Sequence, residues 1–209
     1  MYIPPQFAEK DVARLHGFIE ANSFGLLVTQ DAEAPLASHL PFLLERDVGP
    51  HGYLVGHMAR ANPQWQRSAG QTALVIFSGP HAYISPTWYE APKTVPTWNY
   101  TAVHATGPIE IIEEPGALLE ILQATVRLYE GALPSPWSIG PVDSYVESML
   151  RQIVGFRIEI AVLEGKWKLN QNHPQERRRK VIRALRERSD ENSLGIAELM
   201  EQTLTDIPK

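Results

Sequence analysis

Short apolar segments rich in β-branched and aromatic residues recur along the first 163 residues, separated by turns that contain Pro, Gly or Asn. The predicted strands cover about 24–29, 36–44, 52–57, 72–77, 81–85, 98–112 and 153–163. A polar break over 30–33 makes the first two a predicted hairpin. Because a barrel removes exposed strand edges, the pattern predicts a mainly β fold, a barrel with helices outside it, rather than alternating βαβ units.

Helical spacing of apolar residues predicts the elements around this sheet. The predicted helices cover 9–22, 63–69, the region of 118–128, 144–151, and two segments of 175–204 separated by a break at 189–193. Asn62-Pro63 suits the start of the second of these, since Asn caps helices and Pro fits their first turn. We expect residues 1–174 to form the barrel domain and 175–209 a C-terminal helical extension packed on it.

Charge is distributed unevenly. Residues 166–188 hold nine Lys or Arg against two Glu (+7), and the rest holds 10 basic and 22 acidic residues (-12). An acidic body repels nucleic acid, which confines any DNA contact to the basic segment. The second C-terminal helix, where a reading helix would lie, carries Glu198 and Glu201. A solvated amphipathic helix is therefore the favoured interpretation, with phosphate-backbone contact left open.

Several chemistries lack their sequence signatures. Cysteine is absent, which excludes disulfides, thiolate metal sites and a thiol nucleophile. No H-E-x-x-H or helical histidine pair marks a metal site, and G-x-S-x-G, G-x-G-x-x-G and Walker A patterns do not occur. We assign no metal and no catalytic residue. No secretion signal or membrane span is apparent, so we expect a cytoplasmic protein without membrane contact.

Aromatic residues are concentrated between 56 and 107. Three of the five Trp lie between 65 and 98, among hydroxyls and amides. Such composition suits a planar heteroaromatic ligand with one anionic end, but it is also found in cores and dimer interfaces. Strand alternation places two sets of residues on shared faces, one of which we expect to line a cavity or a subunit interface: His81, Tyr83 and Ser85, and Trp98, Tyr100 and His104.

Two places could bind the anionic end of such a ligand. A helix that begins at Asn62-Pro63 would direct free N–H groups at a phosphate beside Arg60, although an ordinary capped helix with a surface arginine explains the same residues. Lys168, Asn170 and Gln171 supply another cation and two amides, or else a solvated turn. The residues alone leave both alternatives open.

These residues lie in motifs that resemble the PaiB family along residues 1 to about 182. The motifs are Met1-Tyr2-Ile3-Pro4, His39-Leu40-Pro41-Phe42, Gly56-His57, Ala59-Arg60, Asn62-Pro63-Gln64-Trp65, Gly79-Pro80-His81, Tyr83-Ile84-Ser85-Pro86, Trp88-Tyr89-Glu90, Val95-Pro96-Thr97-Trp98-Asn99-Tyr100, Val103-His104, Glu164-Gly165-Lys166, Lys168-Leu169, Gln171-Asn172-His173-Pro174 and Glu176-Arg177-Arg178. The segments around 131–141 and after 189 resemble the family only weakly.

The resemblance implies a split β-barrel of the FMN-binding type that dimerises around FMN and is related to pyridoxamine-phosphate-oxidase-like proteins. It implies cofactor contacts at His57, Arg60, Asn62, Ser85, Thr97, Trp98, Asn99, Lys168 and Gln171. The function that it implies is that of a negative transcriptional regulator acting as a flavin-bound homodimer. The alternative is an FMN-dependent oxidoreductase with no direct DNA binding, and a third hypothesis replaces FMN with haem or another planar ligand.

Overall fold

The computed structural model describes residues 1–31 and 34–205. Its strands are β1 (Ala8–Glu9), β2 (Phe24–Gln30), β3 (Pro35–Pro41), β4 (Leu43–Glu45), β5 (Tyr53–Ala59), β6 (Thr72–Ile84), β7 (Thr97–Ile112), β8 (Ile153–Glu159) and β9 (Val162–Lys168). They form one sheet in the order β3-β2-β6-β7-β8-β5-β4, with β9 paired to β1 and β7. The mainly β class is as predicted. Part of the predicted break at 30–33, Ala32 and Glu33, lies outside the described residues.

Six α-helices flank the sheet in the described ranges. They are α1 (Val12–Ala21), α2 (Gln64–Ser68), α3 (Pro115–Glu130), α4 (Ser144–Leu150), α5 (Gln175–Arg188) and α6 (Glu191–Thr205). All were predicted, and the predicted cap at Asn62 is confirmed, since its Oδ1 accepts the Gln64 N–H at 3.0 Å. Residues 206–209 of the predicted extension are not among those described. None of the helices in the described ranges has the length and apolar character needed to cross a bilayer.

Four predicted strands are merged, divided or ended differently in the structure. The strands predicted over 72–77 and 81–85 are one strand, β6, because the extended backbone continues through Gly79 and Pro80. The strand predicted over 36–44 is divided at Phe42, whose buried ring lies 5.5 and 5.7 Å from the rings of Phe77 and Phe156. The strand predicted over 153–163 ends at Glu159, and β9 then extends to Lys168.

The chain divides into two compact units, and β6 and β7 contribute residues to both. The second unit comprises Val12–Phe77 and His104–Leu163. In it β5 pairs with β8 from Tyr53↔Glu159 to Ala59↔Ile153. Helix α3 lies close over β8, because a Cβ added at Gly155 would be 2.9 Å from a Leu118 methyl carbon.

The first unit comprises Met1–Asp11, Ser78–Val103 and the chain from Glu164 onward. Helices α5 and α6 pack through fully buried apolar side chains, among them Val181, Leu185, Ile196 and Met200. Ser189 separates the two helices in the left-handed conformation, with φ of 58°. Helix α6 also contacts β6, since the His81 N–H donates to Asn192 Oδ1 at 3.2 Å. The C-terminal helices are thereby joined to the strand that carries the predicted aromatic face.

Candidate functional site

An exposed aromatic cluster lies on neighbouring strands of the first unit. The ring of Trp98 on β7 lies 6.2 Å from His81 and 5.9 Å from Tyr83, centroid to centroid, both on β6. Trp98 is 53% exposed although it is a large apolar residue. His81 and Tyr83 share one face, as strand alternation predicts. The rings of His81 and Tyr83 are inclined at 37° and 71° to the Trp98 ring, and this exposed aromatic surface suits a planar ligand or a partner subunit.

Two lysines lie on β9 in the same unit. Lys168 Nζ donates to Thr97 Oγ1, which joins two of the predicted cofactor contacts. Lys166 is 7% exposed, and its Nζ donates to the Tyr2 carbonyl at 3.0 Å. The Lys166 ammonium also lies 5.1 Å from the ring centroid of Tyr100. Lys168 is among the cofactor contacts predicted from the sequence, with a solvated turn as the alternative, whereas no role was predicted for Lys166.

The charges of these two lysines are not neutralised. Burial lowers the pKa of Lys168, and the positive charge of Lys166 lowers it further. Within residues 1–31 and 34–205 neither lysine forms an ion pair with a carboxylate. Two cations held together in this way favour a bound anion, because it would offset both their burial and their mutual repulsion.

The other predicted cofactor contacts in the first unit differ in whether their polar atoms already have hydrogen-bond partners within the protein. Both ends of the Gln171 amide are used, accepting the Leu169 N–H at 2.7 Å and donating to the Trp167 carbonyl at 2.5 Å. Ser85 Oγ lies 2.7 Å from Thr87 Oγ1. Asn99 is fully buried, with its Nδ2 3.4 Å from Met200 Sδ. Among the described atoms Asn99 Oδ1 has no hydrogen-bond donor, so it is a buried acceptor without a partner.

His57, Arg60 and Asn62 lie in the second unit. Arg60 pairs with the Glu113 carboxylate at 2.6 Å and donates through Nε to the Arg151 carbonyl at 3.1 Å. Asn62 Nδ2 donates to Ser38 Oγ at 2.9 Å, while its Oδ1 caps α2. The polar atoms of Arg60 and Asn62 therefore already have protein partners, and their role as phosphate contacts stays a prediction.

Burial lowers the pKa of His57, whose Nδ1 is buried without a hydrogen-bond partner among the described atoms. As the pH falls below about 6.5, unfolded chains bind a proton that the native His57 excludes, so stability should fall with pH. We expect His57→Gln to reduce this loss by on the order of 1 kcal/mol between pH 7.5 and pH 5. Urea unfolding at both pH values measures it, with His39→Gln, at an exposed histidine, as the control. Equal losses in wild type and His57→Gln would contradict the expectation.

Similarity to solved structures supports the fold class. The flavocytochrome Anf3 of Azotobacter vinelandii matches with a TM-score of 0.60 at 18% identity, over 77% of this chain and 69% of that one. The FAD and heme binding protein of Mycobacterium smegmatis matches with a TM-score of 0.60 at 15% identity, over 77% and 73%. The predicted fold class, mainly β of the FMN-binding split-barrel type with flanking helices, is confirmed. The fold therefore places the chain in the class of split β-barrel proteins.

Sequence similarity narrows this class. Residues 1–162 match the family described as "Putative FMN-binding domain". Over 98% of both chains the sequence is 38% identical to "Protease synthase and sporulation protein PAI 2" of Bacillus subtilis. The chain belongs to this FMN-binding family, the PaiB family, as its motifs predict. The family match also confirms FMN as the predicted cofactor. Across the described residues no group of three or more His, Asp or Glu could hold a metal ion.

Proposed function

We propose that the first unit holds the phosphorylated end of FMN at Lys166 and Lys168, with Thr97 beside them. The observation that carries this proposal is the pair of cations without a carboxylate partner among the described residues. The unpaired Oδ1 of Asn99 and the exposed ring of Trp98 suit the polar and planar parts of the same cofactor. Bound FMN would supply one- and two-electron redox chemistry.

The proposal includes a homodimer. The exposed cluster of His81, Tyr83 and Trp98 has the aromatic composition of an interface core, and Val95 beside it in sequence is also exposed. Sedimentation of the purified protein and its visible spectrum test both parts together. We expect a two-chain particle with the absorption bands of oxidised flavin. A monomer that stays colourless after FMN is added would reject the proposal.

We propose further that the protein regulates transcription negatively, as its resemblance to the PaiB family implies, and that it does so through a partner. Only a few cations of α5 are free: Arg178 is buried, Lys180 pairs with Glu90 and Glu176, and Arg186 pairs with Glu201. Arg179 and Arg183 are exposed and form no ion pair with a described residue. Arg177 is partly exposed and likewise forms no ion pair with a described residue. Three unpaired arginines per chain neutralise few phosphates and give weak DNA binding.

A gel-shift assay at physiological salt tests this route. The probe is DNA from upstream of the protein's own coding sequence, and random DNA of equal length is the competitor. We expect no preference for the upstream probe, since α6, the helix in the position of a reading helix, carries Glu198 and Glu201 and has no Lys or Arg among its described residues. A preference of a hundredfold or more would replace the indirect route with direct operator binding.

An FMN-dependent oxidoreductase is the second candidate. The scarcity of free cations on α5 favours it, because it removes the simplest means of acting on DNA. Anaerobic addition of NADH or NADPH should then bleach the flavin bands, and lasting absorption with both nucleotides would count against this candidate.

The C-terminal extension, whose described part is α5 and α6, stays a prediction, supported by the contact of Asn192 with the His81 N–H.

A further inference from the structure

The second unit holds a cavity of about 430 Å³ between α3, α4 and the segment that joins them. Most of its wall is apolar and comes from Leu122, Trp137, Ile139, Val146 and Met149. Its volume falls in the roughly 300–1,000 Å³ range of small-molecule sites. The joining segment includes residues 131–141, which resemble the PaiB family only weakly. The motifs of the family therefore do not account for this cavity.

Trp137 divides this cavity from a second one. Trp137 and Ile139 also line an open cavity of about 590 Å³ beside Val126 and Glu130. The carboxylate of Glu130 accepts the Trp137 backbone N–H at 2.8 Å, which fixes the joining segment to the end of α3. The Trp137 indole therefore lies between the two cavities, and a ligand in either cavity would contact it.

Large apolar side chains are exposed at the rim of the 430 Å³ cavity. Trp137 is 60% exposed and Tyr145 is 69% exposed, and Met149 lies one helical turn beyond Tyr145 on the same face of α4. Contiguous exposed apolar groups around a cavity mark a binding site. The question is then which ligand chemistry the surrounding charges favour.

The charges around the cavity are negative. Residues 115–150 hold Glu120, Glu130, Asp143 and Glu147 against one cation, Arg127. Of the described residues that line the 430 Å³ cavity, Asp143 alone is charged, and no Lys or Arg is among them. Its Oδ1 caps α4 by accepting the Tyr145 and Val146 N–H groups at 3.0 and 2.9 Å, which holds the carboxylate in place.

We propose that this cavity binds a lipophilic organic cation. The apolar body of the ligand packs against Trp137 and Met149, and Asp143 offsets its positive charge. The indole face adds a cation–π attraction, which an anion of the same shape would not receive. A cation with delocalised charge also loses little hydration free energy on entering an apolar cavity, whereas a primary ammonium group loses much more. The proposal is independent of the flavin and of any role in transcription.

Two probes of the same shape and opposite charge test the proposal. Isothermal titration calorimetry of the full-length, FMN-loaded protein is run with tetraphenylphosphonium and with tetraphenylborate. We expect the cation to bind at least tenfold more tightly. Trp137→Ala should weaken the cation at least tenfold, whereas Phe24→Ala, which removes an equally exposed ring from β2, should not change its affinity.

A third variant separates charge from shape. Asn caps helices as well as Asp does, so Asp143→Asn keeps α4 in place while removing the negative charge. The preference for the cation over the anion should then shrink at least threefold. Circular dichroism confirms that each variant is folded, and Trp137→Leu replaces Trp137→Ala if the latter is not.

Three results would overturn the proposal. One is equal or tighter binding of tetraphenylborate. Another is unchanged affinity for the cation in both Trp137 variants. The third is a wild-type protein that does not bind the cation, together with a Trp137→Ala variant that no longer forms the wild-type oligomer. That result would assign this face to a second copy of the chain.

Discussion

Gly107→Ala is expected to destabilise the protein by about 3 kcal/mol or more. A Cβ at this position in β7 would lie 1.6 Å from the Glu159 carbonyl oxygen and 3.2 Å from the Ala161 nitrogen. Both atoms belong to the backbone, so no side chain can rotate to relieve the overlap. The Ala161 N–H donates to Thr106 O at 3.0 Å, and Ile109 pairs with Ile158. The added methyl group must therefore disturb hydrogen bonding between adjacent strands, not only local packing.

Gly17→Ala provides the matched control. Gly17 lies inside α1, where an added Cβ would meet no atom within 4 Å. Alanine is a better helix former than glycine, so this variant should gain about 1 kcal/mol. Urea unfolding of both variants measures the two changes of opposite sign. Equal midpoints for Gly107→Ala and wild type would show that β7 does not approach the end of β8 and the residues after it so closely.

Local pattern predicted most elements, and it failed where distant residues decide the outcome. The break between α5 and α6 was predictable, because the polar run at 189–193 leaves no apolar stripe to continue. The predicted break between two strands at Gly79-Pro80 was wrong, because both belong to the single strand β6. Helix α6 packs there, since a Cβ added at Gly195 would lie 2.8 Å from Pro80 Cγ, and β6 remains extended beneath it. A residue 115 positions later in the sequence cannot be read from the local pattern.

The candidate site was predicted in part for the same reason. Strand alternation correctly placed His81 and Tyr83 together, and the motif at 95–100 drew attention to Thr97 and Trp98. The prediction gave no cofactor role to Lys166, because the last strand was ended at 163, and it left Lys168 as either a cofactor contact or part of a solvated turn. The alternation of Glu164, Lys166 and Lys168 was the available signal. The structure shows that β9 is a strand through its pairing with β1, where Ala8 lies opposite Lys166. The local sequence does not predict this pairing.

Lys168→Met is expected to weaken FMN binding on the order of 10- to 100-fold, since a charge-assisted hydrogen bond contributes about 1.5–3 kcal/mol. This expectation depends on the proposed function. Riboflavin, which lacks the phosphate, should bind wild type and Lys168→Met with similar affinity. Fluorescence titration with both flavins therefore separates a phosphate contact from a general loss of the site. If neither flavin binds wild type, the proposed function itself fails.

The pH dependence gives a second readout of the same lysine. Because the pKa of Lys168 is lowered, its charge is lost at a lower pH than that of an ordinary lysine, and FMN affinity should fall as the pH rises through that range. Lys168→Arg should keep FMN affinity to higher pH, because arginine stays protonated.

Arg60→Ala tests the other predicted phosphate contact, whose guanidinium would have to leave Glu113. If Arg60→Ala alone removed the preference for FMN over riboflavin, the phosphate would belong to Arg60 and the lysine pair would need another anion.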